Sequence, residues 1–362
     1  MKAGWRVARL GEICIFNYGK ALPESARKGG GTPVFGSNGI VGFHDSSITS
    51  GKTIVIGRKG SFGEVHYSEV PSWPIDTAYF VDEASTEQDM RWLFYRLGCL
   101  GLNNMNKAAA VPGLNREDAY RQELLLPPLP EQRRIAAILD KADALRTKRR
   151  EALAQLDRLA QSIFVEMFGE PVSNPKGWPR RTLKELGKVS TGGTPPSAKE
   201  GMFGGDIPFV TPGDLESGQP IKRWLTEAGA EEVGTVRTGA ALVCCIGATI
   251  GKMGMAPTRS SFNQQLNAVE WQPELMDDRF GLAALRFFKV TIATLGASTT
   301  LPILKKSSFE KLSIPVPPRS LQVDFAKRLS QVEHLEQRQQ MALQASTALF
   351  ESLQQRAFQG EL

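Results

Sequence analysis

The sequence predicts an α+β fold in which a pair of long antiparallel coiled-coil helices separates two β-rich units, with a pseudo-twofold internal repeat. Three observations predict this fold. A long segment recurs at a constant offset, two segments carry the period of coiled-coil helices, and the remaining segments alternate short apolar runs with glycine turns. A repeat of this length predicts that one folding unit occurs twice.

The repeat is clearest from a pair of prolines onward. Pro127 matches Pro317, an offset of 317 − 127 = 190 positions, and this offset continues without a gap to Phe168 and Phe358. Other pairs in this region are Gln132 with Gln322, Ala136 with Ala326, Leu139 with Leu329 and Leu153 with Leu343. The segments upstream match more loosely, at an offset of 188. The predicted order is unit, helix, unit, helix, with boundaries at 1–129, 130–170, 171–318 and 319–362.

The segment after Pro130 is predicted to form a long helix. Proline is tolerated in the first turn of a helix, and Glu131 favours the positive end of the helix dipole. At about 1.5 Å per residue, a helix from Glu131 to Phe168 is roughly 57 Å long. Its apolar residues recur in alternating steps of four and three, which is a heptad stripe with a charged interruption. The stripe consists of Ile138, Ala142, Leu145, Arg149, Ala152, Leu156, Leu159 and Ile163.

A second helix is predicted from about Ser320 to Ala357, with an apolar stripe that Gln339 and Ser346 dilute. A helix this long exposes its stripe unless something covers it, and two related copies can cover each other. Antiparallel pairing would then set the distance between the two units. The alternative is that each helix packs on its own unit. The residues predicted to pack between the helices are Leu145, Leu156, Leu159, Leu335, Leu349 and Leu353.

The sequence carries no motif for catalysis, for cofactor binding or for metal binding. Its four cysteines lack the spacing of a zinc site. The run Ser50–Thr53 imitates the end of a phosphate-binding loop, but the first glycine of that motif is missing. No apolar run reaches the ~18 residues of a membrane span, and no signal peptide is visible, so we expect a cytoplasmic protein.

Charge and turn composition indicate a nucleic-acid partner. The chain has 44 Lys and Arg residues against 38 Asp and Glu residues, which is compatible with a polyanion partner without requiring one. Basic and amide side chains gather beside the predicted glycine turns, where Arg can pair bidentately with guanine and Asn or Gln with adenine. A solvated loop surface is the alternative. The predicted DNA contacts are Asn38, Lys52, Arg58, Lys59, Ser61, Thr194, Thr211, Lys252, Arg259, Gln264 and Gln265.

Within this set, the predicted roles differ. Lys52, Arg58 and Lys59 are predicted to flank a glycine turn and to contact phosphate, because a backbone rich in glycine can approach a duplex closely. Gln264 and Gln265 are predicted to contact base edges. For these two glutamines, the alternative is a core amide that satisfies backbone groups.

Several segments carry a resemblance to a known family. The first unit contains TPVFGSNGIVGFHD and TIVIGRKGSFGEV, and the second contains STGGTPP, DIPFVTPGDL, IGATIGK and SFNQQ. These segments are similar to two common versions of the target recognition domain in specificity subunits of type I restriction-modification systems. LPPLPEQRRIAAILDKAD and LQQRAFQGEL resemble the two conserved helical regions of that family. One departure is RSLQVDFA, where the second copy lacks the PEQ motif and keeps only Gln322.

The resemblance implies a non-catalytic subunit that recognises a bipartite double-stranded DNA target. It implies as partners two methyltransferase subunits, which carry S-adenosylmethionine, and restriction subunits, which use ATP and Mg²⁺. An alternative of the same class is the specificity subunit of a bifunctional type II enzyme. A different class is a coiled-coil scaffold that binds only proteins, which the duplicated units with their amide-rich loops disfavour.

Overall fold

The structure, a computed structural model, describes residues 4–105, 113–196, 198–296 and 302–362. The chain divides into two compact units. The first combines Met1–Glu151 with Gln340–Leu362, and the second is Ala152–Gln339. Both divisions fall inside long helices, so each unit contains one β-rich domain together with part of each helix.

The domain of the first unit is built from short strands. They are β1 (Arg6–Arg9), β2 (Asn17–Tyr18), β3 (Thr32–Gly36), β4 (Gly39–His44), β5 (Thr53–Gly57), β6 (Val65–Ser68), β7 (Trp73–Pro74), β8 (Ala78–Asp82) and β9 (Glu123–Leu126). The α-helices are α1 (Leu10–Ile13), α2 (Met90–Gly98), α3 (Arg116–Tyr120) and the long α4 (Leu129–Phe168), which continues into the second unit. One sheet has the order β2-β8-β5-β6, a smaller one has the order β4-β3-β7, and β1 pairs with β9.

The domain of the second unit repeats this plan. Its strands are β10 (Arg180–Thr182), β11 (Gly187–Thr191), β12 (Phe203–Val210), β13 (Trp224–Leu225), β14 (Ala241–Cys244), β15 (Met253–Met255), β16 (Ser261–Phe262), β17 (Leu266–Trp271) and β18 (Ser313–Pro315). The helices are α5 (Leu183–Leu186), α6 (Glu227–Val233), α7 (Asp278–Phe287), α8 (Lys289–Gly296), α9 (Lys306–Phe309) and the long α10 (Arg319–Gln359). The sheet orders are β11-β17-β14-β15 and β13-β12-β16, and β10 pairs with β18.

The two domains therefore share one sheet topology, and the predicted duplication is confirmed for the described residues. In both small sheets the central strand pairs in parallel with a two-residue strand, β3 with β7 and β12 with β16. The structure also corrects the sequence alignment of the two domains, which assumed a constant offset of 188 before the first helix. The Gly63 N–H donates to the Gly57 carbonyl as the Gly251 N–H donates to the Cys244 carbonyl. Cys244 is thus equivalent to Gly57 at an offset of 187, so the turn that follows is one residue longer in the second domain.

The central strand of each large sheet is buried on both faces. In β5, Ile54 and Ile56 join the core that contains Trp92 of α2, whereas Val55 on the opposite face packs with Phe35 of the small sheet. An apolar run rich in β-branched residues suits this doubly covered position. The strand β14 repeats the arrangement, with alternate residues in two separate buried clusters. The small sheet and α2 or α7 thus cover opposite faces of the large sheet.

The two long helices agree with their predicted bounds to within a few residues, and they run antiparallel inside each unit. In the first unit, the Arg134 side chain near the start of α4 donates to the Leu362 carbonyl, and Arg146 lies 3.9 Å from the ring centroid of Phe350 in α10. In the second unit, Phe164 near the end of α4 meets Phe325 near the start of α10, with ring centroids 5.3 Å apart. Early residues of one helix therefore meet late residues of the other.

The predicted packing residues of these helices need correction. Leu353 packs against the buried cluster of the first unit, and Leu156 is half-buried. Four others remain 40–50% exposed: Leu145, Leu159, Leu335 and Leu349. The buried apolar positions are Ile135, Ala136, Leu139, Ala142, Phe164, Phe168, Phe325, Ala326, Leu329, Val332, Phe350, Ala357 and Phe358. Several of these side chains also pack against the neighbouring domain, so the alternative in which each helix packs on its own unit holds in part.

Candidate nucleic-acid interface

Three turns come together at one end of the first domain, and we call them the first turn cluster. They are residues 36–39 between β3 and β4, 57–63 between β5 and β6, and 75–77 between β7 and β8. The backbone N–H groups of Arg58 and Lys59 both donate to the Thr77 carbonyl, at 2.9 and 3.1 Å. The His66 ring nitrogen Nε2 lies 3.4 Å from the Ser37 carbonyl. The Ile75 N–H donates to the Phe35 carbonyl at 2.8 Å, so backbone bonds and one side-chain contact hold these turns together as one surface.

Four of the five residues predicted in the first unit lie on this cluster: Asn38, Arg58, Lys59 and Ser61. Lys52 does not, so the prediction that it flanks the same glycine turn is wrong. It precedes β5, whose five residues make that strand about 17 Å long. Its ammonium group lies 3.8 Å from the Glu69 carboxylate instead.

The second domain carries an equivalent second turn cluster, formed by residues 211–214, 245–251 and 263–265. The Cys245 N–H donates to the Gln265 carbonyl, as Arg58 donates to Thr77. The Asn263 N–H donates to the Val210 carbonyl, which repeats the contact between β7 and β3 in the first domain. The backbone positions are therefore the same, whereas the side chains differ.

The residues predicted in the second unit are also mostly brought together here. The Thr194 hydroxyl donates to Gln264 Oε1 at 2.6 Å, and the Asn263 amide donates to Gln265 Oε1 at 3.1 Å. The other two that join them are Thr211, which follows β12, and Lys252, which follows the turn at 245–251.

Arg259 stands apart from the second turn cluster. It precedes β16, at the end opposite to Gln264, and makes a bidentate contact with Glu227 at 2.9 and 2.6 Å. A guanidinium that is paired with a carboxylate in this way has little net positive charge available to attract a phosphate. The structure therefore does not group Arg259 with the other predicted contacts.

Arg58 is held firmly within the first turn cluster. Its Nε and Nη2 atoms donate to the Asp76 carbonyl at 3.1 and 2.6 Å. Its guanidinium carbon lies 5.5 Å from the ring centroid of Tyr18 and 5.9 Å from that of Tyr79, within cation–π range. Burial raises the pKa of Tyr79 to about 12, so its hydroxyl stays protonated at neutral pH.

Sequence reasoning misses two residues of this surface. Tyr18 is 54% exposed, and Arg116 places its guanidinium carbon 5.4 Å from the Tyr18 ring centroid. No local pattern could have joined them, because they lie on β2 and α3, far apart in sequence. In the second domain, the residues equivalent to Tyr18 and Tyr79 are Thr191 and Asn267, whose side chains share a hydrogen bond of 2.7 Å. At these equivalent positions, the described residues place the aromatic and cationic cluster in the first domain and a pair of polar side chains in the second.

Other kinds of site gain no support from the residues that the structure describes. Among them, no group of three or more His, Cys, Asp or Glu side chains is arranged to hold a metal ion. Burial raises the pKa of the Cys14 and Cys245 thiols to about 12, so neither is a thiolate at neutral pH. No helix in the described part of the chain combines the length and the hydropathy of a membrane span.

Comparison with known families identifies the chain. The model of the type I restriction modification DNA specificity domain matches it twice, at residues 2–156 and 175–345. The chain belongs to this family. Each match covers one β-rich domain and much of the long helix that follows it, so the family domain corresponds to the structural repeat.

Proteins similar to this chain include named specificity subunits. The chain is 26% identical over 168 residues to the type I restriction enzyme MjaIX specificity subunit of Methanocaldococcus jannaschii, which is 44% of this chain and 39% of that protein. It is 27% identical over 164 residues to the HindI specificity subunit of Haemophilus influenzae, 43% of this chain and 35% of that protein. Another relative from M. jannaschii is 24% identical over 265 residues, 67% of this chain and 61% of that protein. The alignments thus span less than two thirds of these relatives.

Solved structures agree on the fold of the specificity domain family. The S subunit of a type I restriction-modification system from M. genitalium has a TM-score of 0.64 at 15% identity, over 98% of this chain and 96% of that one. A chain from a study of complex assembly and conformational transition of the type I system has a TM-score of 0.55 at 19% identity, over 100% and 99%. At these identities the similarity establishes the fold.

Proposed function

We propose that this chain is the DNA-recognition subunit of a type I restriction-modification complex, and that each β-rich domain reads one half of a bipartite target. The observation that carries the proposal is the pair of turn clusters. They occupy equivalent backbone positions, yet one presents Arg58, Lys59 and Tyr18 whereas the other presents Thr194, Gln264 and Gln265. Two domains that recognise different DNA sequences require a shared backbone arrangement with different exposed side chains.

The chemistry belongs to partner subunits in this proposal. Methyltransferase subunits bring S-adenosylmethionine, and restriction subunits bring ATP and Mg²⁺. This chain recognises the target sequence in the DNA. The repeated helices support two equivalent docking positions and therefore two methyltransferase subunits. The membership of the chain in the specificity domain family supports this division of roles.

Methylation-sensitive sequencing tests the proposal directly. A host that carries this chain and its methyltransferase partner is compared with the same host after deletion of the chain. We expect a bipartite methylated motif, with a spacer of unread bases, that disappears on deletion. A genome with no motif that depends on this chain, or a chain that binds its partner but no duplex, would favour a protein-binding scaffold instead. Copurification of a fused methyltransferase–nuclease would point to the bifunctional type II arrangement.

A further inference from the structure

We propose that Arg58 reads a guanine in the first half-site by donating two hydrogen bonds to the O6 and N7 atoms of that base. This inference rests on the proposed function and deepens it. It also departs from the phosphate contact that the sequence predicts for Arg58. Three features of Arg58 support this assignment: the hydrogen bonds that hold its guanidinium, the lack of an acidic partner among the described residues, and its replacement in the second domain.

The hydrogen bonds of Arg58 fix one edge of the guanidinium and leave the other available. Nε and Nη2 both donate to the Asp76 carbonyl, which occupies the side edge of the group. An arginine has five N–H donors in a fixed fork, so the two Nη1 donors and the second Nη2 donor remain. Those on the terminal edge have the spacing that a bidentate contact to guanine needs.

Aromatic rings restrict the remaining freedom of the Arg58 side chain. The guanidinium lies near the rings of Tyr18 and Tyr79, which contact each other edge to face with centroids 5.1 Å apart. Tyr79 is buried and donates its hydroxyl to the Leu114 carbonyl at 3.2 Å. Tyr18 also lies beside Arg116, which helps to keep its ring in place. Tyr18 is therefore a positioning residue, and Arg58 has lost most of its rotamer freedom before any DNA arrives.

Arg58 differs from Arg237 and Arg259, because each of those two arginines is neutralised by a carboxylate. Arg237 makes a bidentate contact with Asp278, and Arg259 makes one with Glu227. Within the part of the chain that the structure describes, no carboxylate lies within salt-bridge distance of Arg58. A phosphate contact needs only charge, which the exposed Lys59 next in sequence supplies. A rigid planar donor pair without an acidic partner suits a base edge better.

The second domain has no counterpart to this arginine. The backbone contact of Arg58 to Thr77 is repeated by Cys245 to Gln265, so Cys245 occupies the equivalent position. Its side chain is buried, at 2% exposure. The guanine contact is therefore expected in the first half-site alone, while the second half-site is read by different side chains.

Selection from randomised duplexes tests the inference. The chain in complex with its methyltransferase partner selects duplexes that are randomised over the whole target, and the bound pool is sequenced. We expect one invariant guanine in the first half-site. Arg58→Lys keeps the charge but loses the bidentate fork, so it should lower the preference for that guanine by about 5- to 140-fold. Tyr18→Ala should act in the same direction, because it frees the guanidinium.

Two controls keep the outcomes distinct. Lys59→Ala should weaken binding to all duplexes alike without changing the selected sequence. Unchanged selection at the other read positions of the first half-site demonstrates that the first domain of the Arg58 variant is folded. The inference is overturned if no position of the first half-site requires guanine on either strand, or if Arg58→Lys weakens all duplexes equally. A wild-type complex that selects no bipartite sequence would instead refute the proposed function itself.

Discussion

Gln132 and Gln322 make the same two hydrogen bonds in the two units. In each case Oε1 accepts from the backbone N–H of an aspartate, Asp89 at 2.9 Å or Asp277 at 2.8 Å, that caps the N-terminus of α2 or α7. In each case Nε2 donates to the carbonyl of the proline five residues earlier, at 2.9 Å. Both side chains are essentially fully buried. This glutamine therefore joins the start of a long helix to its domain, which explains why it alone of the PEQ motif remains in the second copy.

Truncation of either glutamine should destabilise the protein by a similar amount. Gln132→Ala and Gln322→Ala each leave a buried backbone N–H and a carbonyl without a partner, which costs about 1–3 kcal/mol per group. Denaturant unfolding monitored by circular dichroism measures the loss of free energy of unfolding. Gln355→Ala, at an exposed position of α10, is the matched control and should change little. Losses below about 0.5 kcal/mol in both buried variants, within the range of ordinary surface substitutions, would contradict this role.

Two lysines at opposite ends of β5 should differ in their effect on DNA binding. Lys59 lies on the first turn cluster, whereas Lys52 lies at the other end of the strand beside Glu69. Lys59→Ala should lower the slope of log K against log salt by ~0.9, the value for one lost phosphate contact. Lys52→Ala should leave the slope unchanged. Titration of duplex binding over a range of salt concentrations measures both slopes. A wild-type slope for Lys59→Ala would remove Lys59 from the interface.

Alanine variants of Gln264 and Gln265 should distinguish the two explanations for amide side chains at this turn, which are contact with a base edge and a structural role in the core. Gln264 is exposed, so Gln264→Ala should leave the thermal melt unchanged and cost ~1–3 kcal/mol at one base position of the second half-site. Gln265 is half-buried and its Oε1 accepts from the Asn263 amide, so Gln265→Ala should lower the melting temperature without DNA. A lower melting temperature for Gln264→Ala would make its amide structural instead.

Glu336 in α10 should make the stability of the second unit depend on pH. Burial raises the pKa of its carboxyl, and the nearby Asp157 and Glu333 raise it further, against an opposing effect of Arg286. A raised pKa in the folded state favours the protonated form, so this contribution to stability is present below the ordinary value of about 4.3 and is lost as pH rises through the folded value. Glu336→Gln should therefore be more stable than wild type at pH 7.

The stability difference between Glu336→Gln and wild type should disappear below about pH 4, where the glutamate is protonated in both the folded and the unfolded state. Denaturant unfolding at a series of pH values measures it. Glu351→Gln changes an exposed position on the same helix and serves as the control. A stability gain for Glu336→Gln that is equally large at pH 3 would have to arise from packing rather than from charge.

Much of the fold could be predicted from the sequence because its strongest signals are periodic. The constant offset gives the duplication, and proline and apolar period give the bounds of α4 and α10 within a few residues. The buried face of those helices could not be predicted as well. A heptad stripe assumes one partner helix, whereas Ile135, Leu139 and Ala142 also pack against the domain in the first unit. A second packing partner turns the buried face away from Leu145.

The sequence could predict which types of residue form the candidate site, but not which of them lie together in space. Glycine turns rich in Arg, Lys, Asn and Gln locate most of both clusters, because these turns end the buried strands. The contacts among the turns of each cluster depend on strand pairing over long sequence distances. The contact of Tyr18 with Arg116 and the neutralisation of Arg259 by Glu227 both join separate elements of the fold. No local pattern distinguishes a cation held by a carboxylate from one that faces DNA.

The independence of the two readers is tested most directly by exchanging one of them. Residues 1–126 are replaced by the corresponding domain of another member of the specificity domain family, while the helices and the second domain are kept. The methylated motif of the host is then determined by sequencing. We predict that the half of the motif read by the first domain changes and that the other half stays as in the wild type. A change in both halves, in a complex that still methylates, would contradict the account of two separate readers.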